Sequence, residues 1–346
     1  MRSQCRILVT GAGSGVGQSI IKSLRISKLP LWVVSADISL MNSALYRADE
    51  SIIIPRVEQS NALELIIELL HHNRIDVVMI GSEFDIEFFS LYKEIIESST
   101  GVSIIVAPPS TVAIANDKWL TAEFLRKNGL PYAESHLPTD QEDAISCAKK
   151  WGFPVVLKSR SGTSSRHVHI VRDSINLKEI FTSTPQPMLQ RMINLPSSDL
   201  GNEYTCSVFK SAHGSMIGPF TARRTIRGGT SWHIEVAPFE ELYETLNSIA
   251  SSLDYIGSLN IQLMISTQGP IPFELNSRFS GTTAVRAHFG FNEPEMAILS
   301  FFYKEAISTP KVRSGVAMRY HEEVFIENVS AQTLSLSDKG FVNTWF

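Results

Sequence analysis

Short apolar runs alternate with segments of helical periodicity along the first third of the chain. The apolar runs predict strands at CRILVT (5–10), LWVVSAD (31–37), IDVVMIG (75–81) and SIIVAP (103–108). Between them, QSIIKSLRIS after residue 17 and NALELIIELLHHN (61–73) predict helices. Parallel strands need a crossover that returns over the sheet face. The alternation therefore predicts a parallel, doubly wound α/β sheet, a Rossmann-like domain over residues 1–112.

The pattern changes after the proline pair at 108–109. NDKWLTAEFLRKNGLP (116–131) predicts a helix that Gly129 and Pro131 end. Further strands are predicted at 153–159, 167–171, 187–193, 203–209, 258–265 and 271–276, with helices at about 239–252 and 293–304 and a last strand candidate, GVAMRYH, at 315–321. Because hairpin-like connections join these strands, the second part of the chain is predicted to be an α+β unit built on antiparallel sheet.

Composition narrows the class of protein without naming a reaction. With 43% apolar and 19% charged residues among 346, the chain has the profile of a folded protein. Its net charge of −4 offers no general attraction to nucleic acid or to a membrane surface, so neither is expected as a partner. Cys5, Cys147 and Cys206 are widely spaced and predict free thiols. No signal-peptide pattern opens the chain and no apolar run approaches the ~20 residues of a membrane span, so we expect a cytoplasmic protein.

A glycine-rich turn, TGAGSGVG (10–17), lies where the first strand passes into the first helix. Its backbone amides could hold a phosphate, and Asp37 at the end of the second strand could bind a ribose hydroxyl, as in a dinucleotide site. The YxxxK pair of short-chain dehydrogenases does not accompany it. Glycine is also needed simply to bend tightly and let the helix pack on the sheet. A structural turn, a phosphate or carboxylate contact of a substrate, and a dinucleotide site all stay open.

Two lysines and a polar loop form the first part of a pattern that indicates chemistry. Lys118 begins a helix in NDKW and Lys158 ends a strand in VVLKS, from where both ammonium groups could contact a triphosphate. Solvated lysines at element ends would look the same. The loop SRSGTSSR (159–166) could cover phosphates with its amides and hydroxyls, and Arg160 or Arg166 could add charge, whereas a plain hairpin loop is the alternative.

Three polar residues on two neighbouring strands form the second part of the pattern. Glu274 and Asn276 are two positions apart, so their side chains leave the strand on the same face, and Gln262 on the preceding strand could complete an oxygen set. Magnesium takes a few protein oxygens and fills its shell with phosphate and water. The set therefore predicts a nucleotide-bound magnesium ion, against the alternative of a solvent-facing polar edge.

Together these motifs resemble the ATP-grasp superfamily, and most of all its carbamoyl phosphate synthetase large-subunit branch. SLNIQLMI with IPFELNSRFSGTT resembles the metal-binding region, NDKWLTAEFLRKNGLP the helix that opens the central part of the fold, and FPVVLKSRSGTSSRHVHIV the phosphate-covering loop. The match runs to about residue 305. It implies an ATP-grasp fold after the Rossmann-like domain, with an N-terminal subdomain at 113–186, a C-terminal subdomain at 187–310, and a strand and tail of unassigned role at 311–346.

The resemblance also implies a role for individual residues. The ATP phosphates would contact Lys118 and Lys158, and the loop that contains Ser161, Gly162, Thr163 and Ser164 would close over them. The adenine would lie against Gln190, Arg191, Met192 and Ile193. The ribose would bind Glu203. Magnesium would bind Gln262, Glu274 and Asn276, and Arg278 would lie near the transferred phosphate. Two positions depart from the family pattern, because Arg191 stands where an acidic residue is usual and Gln262 replaces the first metal carboxylate of many members.

The segment ARRTIRGGTSWHIE (222–235) is also distinctive. Arg223, Arg224 and Arg227 with two glycines predict a mobile cationic loop that binds an acceptor carboxylate or the γ-phosphate, or else an exposed turn. Arg227 thereby joins Lys158 and Arg278 as a predicted catalytic residue.

The resemblance implies a ligase reaction. ATP, with Mg²⁺, would phosphorylate a small-molecule carboxylate, and an amine (or thiol) would then displace phosphate. Three other functions stay open: a kinase of the same fold, an NAD(P)-dependent oxidoreductase, and a catalytically silent nucleotide-binding module. The sequence leaves the identity of both substrates open, and whether the chain forms a homodimer.

Overall fold

The computed structural model describes residues 2–162, 167–196 and 201–342. Within these ranges sixteen strands form three sheets. One sheet is parallel and comes first in the chain, and the other two are antiparallel. No helix in the described ranges combines the length and the apolar character that a membrane crossing requires.

The first sheet is the predicted parallel one. Its strand order is β3-β2-β1-β4-β5, with every pairing parallel. The strands are β1 (Cys5–Thr10), β2 (Leu31–Asp37), β3 (Glu50–Ile53), β4 (Val77–Ile80) and β5 (Ser103–Ile105). The helices are α1 (Gly15–Arg25), α2 (Ala62–His72), α3 (Glu83–Leu91), α4 (Lys93–Thr100) and α5 (Pro109–Asn116), with a 3₁₀ turn at Ser43–Tyr46. The sequence had indicated α1 and α2 but not α3, α4 and α5.

A small antiparallel sheet follows, in the order β6-β9-β7-β8. Its strands are β6 (Ser135–His136), β7 (Val155–Ser159), β8 (Val168–Val171) and β9 (Pro187–Arg191). Three helices accompany it: α6 (Lys118–Lys127), α7 (Gln141–Trp151) and α8 (Ser174–Phe181). Asp117 caps α6, because its Oδ1 accepts hydrogen bonds from the backbone amides of Trp119 at 2.8 Å and Leu120 at 3.2 Å.

The third sheet has seven strands, ordered β15-β14-β10-β12-β13-β16 with β11 also paired to β10. The strands are β10 (Glu203–Lys210), β11 (Met216–Phe220), β12 (Ala222–Arg227), β13 (Thr230–Val236), β14 (Gly257–Ser266), β15 (Gly269–Asn276) and β16 (Gly315–Met318). A 3₁₀ turn (Glu240–Leu242) leads into α9 (Tyr243–Ser252), and α10 (Thr283–His288), α11 (Glu293–Ala297) and a π-helical turn (Ile298–Phe302) follow β15. The fold class predicted from the sequence is thus confirmed.

The cationic segment at 222–235 is a hairpin of this sheet, so the prediction of a mobile loop is wrong. Gly228 and Gly229, at φ 55° and 71°, form its turn. The alternation along β12 and β13 buries Ala222, Ile234 and Val236. Two charged positions between them fit a strand because Arg223 pairs with Glu235 and Arg224 pairs with Glu203, both on neighbouring strands.

The parallel-sheet domain packs against the seven-stranded sheet and its helices, in part through α1. Ser19 of α1 donates through Oγ to the carbonyl oxygen of Gly281 at 2.8 Å, and Asn292 donates through Nδ2 to that of Ser23 at 3.0 Å. Buried residues of both sheets, such as Leu8 and Leu259, share one hydrophobic cluster. Residues that follow the carboxyl ends of β1 and β4, such as Gly15 and Gly81, line one cavity together with Gln262 and Glu274.

Candidate active site

A cavity of about 310 Å³ lies between the two antiparallel sheets, and we call it the lysine cavity because Lys118 and Lys158 line it. The sequence-predicted residues on its wall are Lys118, Lys158, Gly162, Gln190, Arg191, Met192, Ile193, Glu203, Gln262 and Glu274. Apolar side chains form much of the remainder: Val156, Val168, Ile170, Leu195, Ile226, Met264 and Phe273. The cavity thus combines apolar side chains with the ammonium groups of two lysines.

Lys158 is buried in this cavity, with 5% of the residue exposed. Its Nζ donates to Oε1 of Gln190 at 3.1 Å. Burial, followed by the charge of Lys118, lowers the pKa of Lys158 to about 8, although the carboxylate of Glu274 acts in the opposite direction. Lys118 donates through Nζ to the carbonyl oxygen of Gly162 at 2.8 Å. Both ammonium groups thus lie where an anionic ligand would balance them.

The predicted phosphate-covering loop is only partly described. Gly162 lines the lysine cavity, whereas Ser161 is exposed and does not line it. Thr163 and Ser164, like Arg166, lie outside the described residues. Arg160 is held by Asp117, with Nε 3.0 Å from Oδ2, so its charge is already balanced and the structure does not support a phosphate contact for it.

Glu203, Arg224 and Gln262 form a network on the floor of the cavity. They come from neighbouring strands β10, β12 and β14. Arg224 donates through Nε to Oε1 of Glu203 at 3.1 Å and through Nη2 to Oε1 of Gln262 at 2.7 Å. The side chain of Arg224 is about 10% exposed, so its pair with Glu203 is largely shielded from solvent and holds the cavity wall in place.

Glu274 is the centre of the predicted metal set. Its Oε1 accepts from Nε2 of Gln262 at 3.1 Å and from Nδ2 of Asn276 at 3.0 Å. Since the oxygen of Gln262 accepts from Arg224, Gln262 is better placed to orient Glu274 than to bind a metal. Oε2 of Glu274 and Oδ1 of Asn276 accept no hydrogen bond from the described residues, so these two oxygens fit a magnesium ion that takes its other ligands from phosphate and water.

A β-bulge explains why Phe273 also reaches the lysine cavity. Gln262 lies opposite Glu274, but its neighbour Leu263 lies opposite Pro272, so β15 holds one extra residue there. Strict alternation along β15 would place Phe273 on the face away from Glu274. The bulge breaks that alternation, and Phe273 lines the lysine cavity together with Glu274.

A second cavity of about 360 Å³, which we call the arginine cavity, adjoins the first. Arg224, Gly229, Gln262 and Glu274 line both cavities. The second is otherwise lined by Ser14, Gly15, Val16, Gly81, Ser82, Glu83, Phe84, Thr230, Ser231, Asn260, Arg278, Ser280, Gly281, Thr282 and Arg319. Arg278 forms an ion pair with Glu83 at the start of α3 and donates through Nη1 to the carbonyl oxygen of Phe279 at 2.9 Å.

Arg227 is not part of either cavity, so the geometry does not support the catalytic role predicted for it. Alternation along β12 points Arg224 and Ile226 into the lysine cavity and leaves Arg227 on the opposite face. There its guanidinium stacks over the ring of Trp232, 5.0 Å from the centroid. Arg223 is likewise engaged, with Nε 3.0 Å from Oε2 of Glu235.

The glycine-rich turn borders the arginine cavity. Its glycines are needed for close packing, because a Cβ at Gly17 would lie 2.4 Å from the carbonyl oxygen of Gly11. Asp37 uses its carboxylate on the backbone, accepting from the amides of Gly13 at 2.9 Å and Ile38 at 2.8 Å. This arrangement favours the structural interpretation of the turn over a dinucleotide site. Gly15, by contrast, has open space at its Cβ position, next to the cavity.

Sequence reasoning missed Asn260 and Arg319, which both line the arginine cavity. Asn260 is two residues before Gln262 on β14, so the two-residue period already placed it on the same face. Arg319 follows the last strand and carries no pattern that a single sequence would reveal.

Three family models match successive parts of the chain. One described as a PylC-like N-terminal domain matches residues 7–105 and one described as a RimK-like ATP-grasp domain matches residues 115–203. A third, described as ATP-grasp in the biosynthetic pathway with Ter operon, matches residues 192–324. The two ATP-grasp domain models together span residues 115–324, and the chain belongs to the ATP-grasp superfamily.

Among curated proteins, the carbamoyl phosphate synthase large chain of Clostridium acetobutylicum is 21% identical over 196 residues. The match covers 54% of this chain and 18% of that relative, so the chain corresponds to under a fifth of its length.

Solved structures share the fold at low sequence identity. N5-carboxyaminoimidazole synthetase from Staphylococcus aureus has a TM-score of 0.71 at 17% identity, covering 91% of this chain and 82% of that one. The biotin carboxylase domain of 2-oxoglutarate carboxylase from Hydrogenobacter thermophilus, crystallised with MgADP and bicarbonate, has a TM-score of 0.72 at 16% identity and covers 99% and 83%.

Proposed function

We propose that this chain is an ATP- and magnesium-dependent ligase that activates a small-molecule carboxylate as an acyl phosphate and transfers it to an amine or a thiol. The observation that carries the proposal is the junction of two cavities at Gln262 and Glu274. One cavity has an apolar slot and two lysines, and the other is polar and contains Arg278. A nucleotide in the first would present its terminal phosphate to a molecule in the second.

The nucleotide would occupy the lysine cavity. Its adenine would lie among apolar side chains such as Ile170 and Phe273, next to residues 190–193 at the end of β9. Lys118 and Lys158 would bind phosphates, and Glu203 would bind the ribose. The relatives crystallised with ADP support a nucleotide in this fold.

Magnesium, when bound, would supply positive charge that stabilises the transferring phosphoryl group. Glu274 and Asn276 would hold it through the oxygens that accept no hydrogen bond from the described residues. A single carboxylate at this position fits one ion better than two. Gln262 would keep Glu274 in place.

The arginine cavity would hold the carboxylate that is activated. Arg278, positioned by Glu83, would balance charge on the acyl phosphate. No side chain needs to form a covalent intermediate, because the acyl phosphate itself is the activated species. The protein would then act by positioning the substrates and excluding water.

Phosphate release tests the proposal directly. The full chain would be incubated with ATP, magnesium and a panel of carboxylates and amines, and phosphate and product mass would be measured. We expect ADP and phosphate to form together only when both substrates of a pair are present. A phosphorylated product without free phosphate would instead identify a kinase. The melting temperature of the protein would also be compared with and without each nucleotide. If NADH raises it and ATP with magnesium does not, the protein is an oxidoreductase rather than a ligase.

A further inference from the structure

Arg319 differs from the other arginines of the arginine cavity because no carboxylate among the described residues pairs with it. Arg224 is paired with Glu203, and Arg278 is paired with Glu83. The guanidinium of Arg319 donates through Nη2 to the carbonyl oxygen of Gly281 at 2.8 Å and forms no ion pair with a described residue. Its other N–H groups remain available to a ligand.

The position of Arg319 is partly buried. Removal of the guanidinium from water lowers the pKa of Arg319, and no described charge acts against that effect. An unbalanced cation in such a place is stabilised when an anion binds beside it. The backbone amide of Arg319 donates to the carbonyl oxygen of Trp232 at 2.9 Å, so the C-terminal segment is fixed to the sheet at this residue.

Asn260 supplies a second hydrogen-bond donor in the same cavity. It is buried, with 1% exposed, and its Oδ1 accepts from Oγ1 of Thr205 at 3.0 Å and from Arg286. These donors fix the orientation of the amide, whose Nδ2 donates to none of the described residues. A buried amide nitrogen that lines a cavity favours a ligand rich in acceptor oxygens.

The two cavities share Glu274 and Gln262, but Arg319 lines only the arginine cavity. A carboxylate activated at the junction, next to Glu274, would therefore leave the rest of its molecule in the part of the cavity that Arg319 lines.

We propose that Arg319 binds a second anionic group of the acceptor, by which we mean the substrate whose carboxylate accepts the phosphoryl group. This second group is a carboxylate or phosphate distinct from the carboxylate that is activated. The inference rests on the proposed function for the reacting end and adds the substrate class: a small molecule with at least two acidic groups. It also gives residues 311–346 a role, since the specificity-determining residue would come from this segment.

Binding measured without turnover tests the inference. Matched pairs of probes differ by one anionic group: glutarate against valerate, and O-phosphoserine against serine. Calorimetry with the full chain in the presence of MgADP should give tighter binding, by about tenfold or more, for the charged member of at least one pair. The pair that shows the preference indicates whether Arg319 binds a carboxylate or a phosphate.

Variants then connect the preference with Arg319. Arg319→Met should remove it, by about tenfold to a hundredfold in affinity, and Arg319→Lys should restore part of it because the charge returns. Arg313→Met is the matched control, since Arg313 lies in the same segment and also donates to a backbone carbonyl, that of His288, outside the cavity.

Two outcomes would overturn the inference: a wild-type protein that binds charged and uncharged members equally or not at all, and a folded Arg319→Met variant that keeps the preference. Failure of the proposed function would look different. MgADP binding or ATP turnover would be absent, whereas the charged probe of a pair, titrated without nucleotide, would still bind more tightly than the uncharged one.

Discussion

Nζ of Lys158 lies 3.1 Å from Oε1 of Gln190, a neutral partner in a buried place. An amide oxygen accepts a hydrogen bond but cannot balance the charge of an ammonium group. Burial and Lys118 therefore lower the pKa of Lys158 to about 8 against the opposing effect of Glu274. Without a ligand, the residue predicted to bind phosphate therefore loses its proton more readily than an ordinary lysine does.

We expect nucleotide affinity to fall as pH rises above about 8. Below that value Lys158 is charged and attracts phosphate, whereas above it binding must first return a proton to the amine. The dissociation constant of MgADP should increase by up to about tenfold per pH unit until the pKa of the bound form is reached. Calorimetry between pH 7 and pH 9.5 measures this.

Lys158→Met is the control for the pH effect. It should bind MgADP weakly, with little further change across the same interval. A folded wild-type protein whose affinity stays constant from pH 7 to pH 9.5 would remove Lys158 from the phosphate site.

Glu274→Gln should keep the fold and lose magnesium-dependent turnover by about two orders of magnitude or more. The change preserves the size of the side chain and removes the one carboxylate of the predicted metal set, so charge on the transferring phosphoryl group loses its main support. ATP-dependent product formation would be measured over a magnesium titration. Glu244→Gln, on α9 and away from both cavities, should change little. Near-normal turnover in folded Glu274→Gln would reject the metal role.

Asn276→Asp should alter the metal requirement rather than abolish binding. The substitution places a second carboxylate beside Glu274, where Nδ2 of Asn276 now donates to Oε1 at 3.0 Å. Losing that donor brings two negative charges together, which favours metal binding and disfavours the empty site. The magnesium concentration for half-maximal turnover should therefore fall. An unchanged metal titration, in a variant that still turns over, would contradict the ligand role of Asn276.

The sequence predicted those parts of the fold in which one periodicity dominates. The runs at Cys5–Thr10, Leu31–Asp37 and Gly257–Ser266 are bordered by turn residues and are strands in the structure. The hairpin at 222–236 was missed because clustered arginines resemble an exposed loop until their cross-strand partners, such as Glu235 for Arg223, are known. Periodicity carries no information about which carboxylate will lie opposite.

In the candidate site, too, local spacing predicted some residues, whereas others are brought in only by the tertiary fold. Glu274, Asn276 and Gln262 follow from local spacing on two adjacent strands, and they do lie together. Arg319 enters the arginine cavity from a segment more than forty residues further along the chain, so only the tertiary fold brings it there. The β-bulge that turns Phe273 toward the lysine cavity changes the register by one residue, which alternation alone does not predict.

Glu203→Gln should reduce discrimination between ATP and its deoxyribose analogues. If Glu203 binds the ribose, the wild-type protein should bind ATP more tightly than 2′-deoxy-ATP or 3′-deoxy-ATP, because removing the hydroxyl leaves a carboxylate acceptor unmatched. The variant should bind ATP and the relevant analogue within about twofold of each other, as measured by competition against a fluorescent nucleotide.

Glu235→Gln provides the matched control for Glu203. Each carboxylate pairs with an arginine of β12, but Glu235 lines neither the lysine cavity nor the arginine cavity. Its variant should keep the discrimination of the wild type. A folded Glu203→Gln protein that discriminates as well as wild type would show that the ribose lies elsewhere.

Removing one partner of the buried pair Arg286 and Glu293 should destabilise the protein by about 3–5 kcal/mol. Both side chains are fully buried, with Nη1 of Arg286 3.2 Å from Oε2 of Glu293, and Oε1 of Glu293 also accepts from Ser207 and Ser258. Arg286→Met leaves that carboxylate buried with only hydroxyl donors, whereas Arg286→Met/Glu293→Leu leaves no unpaired charge. The double variant should therefore be more stable than the single variant, which denaturant unfolding followed by fluorescence measures. A single variant within about 1 kcal/mol of wild type would show that the pair does not stabilise the fold as argued.

The same two variants should also affect ligand binding. Arg286 donates a hydrogen bond to Oδ1 of Asn260, which lines the arginine cavity. Both variants should therefore weaken acceptor binding in that cavity, even where stability is restored.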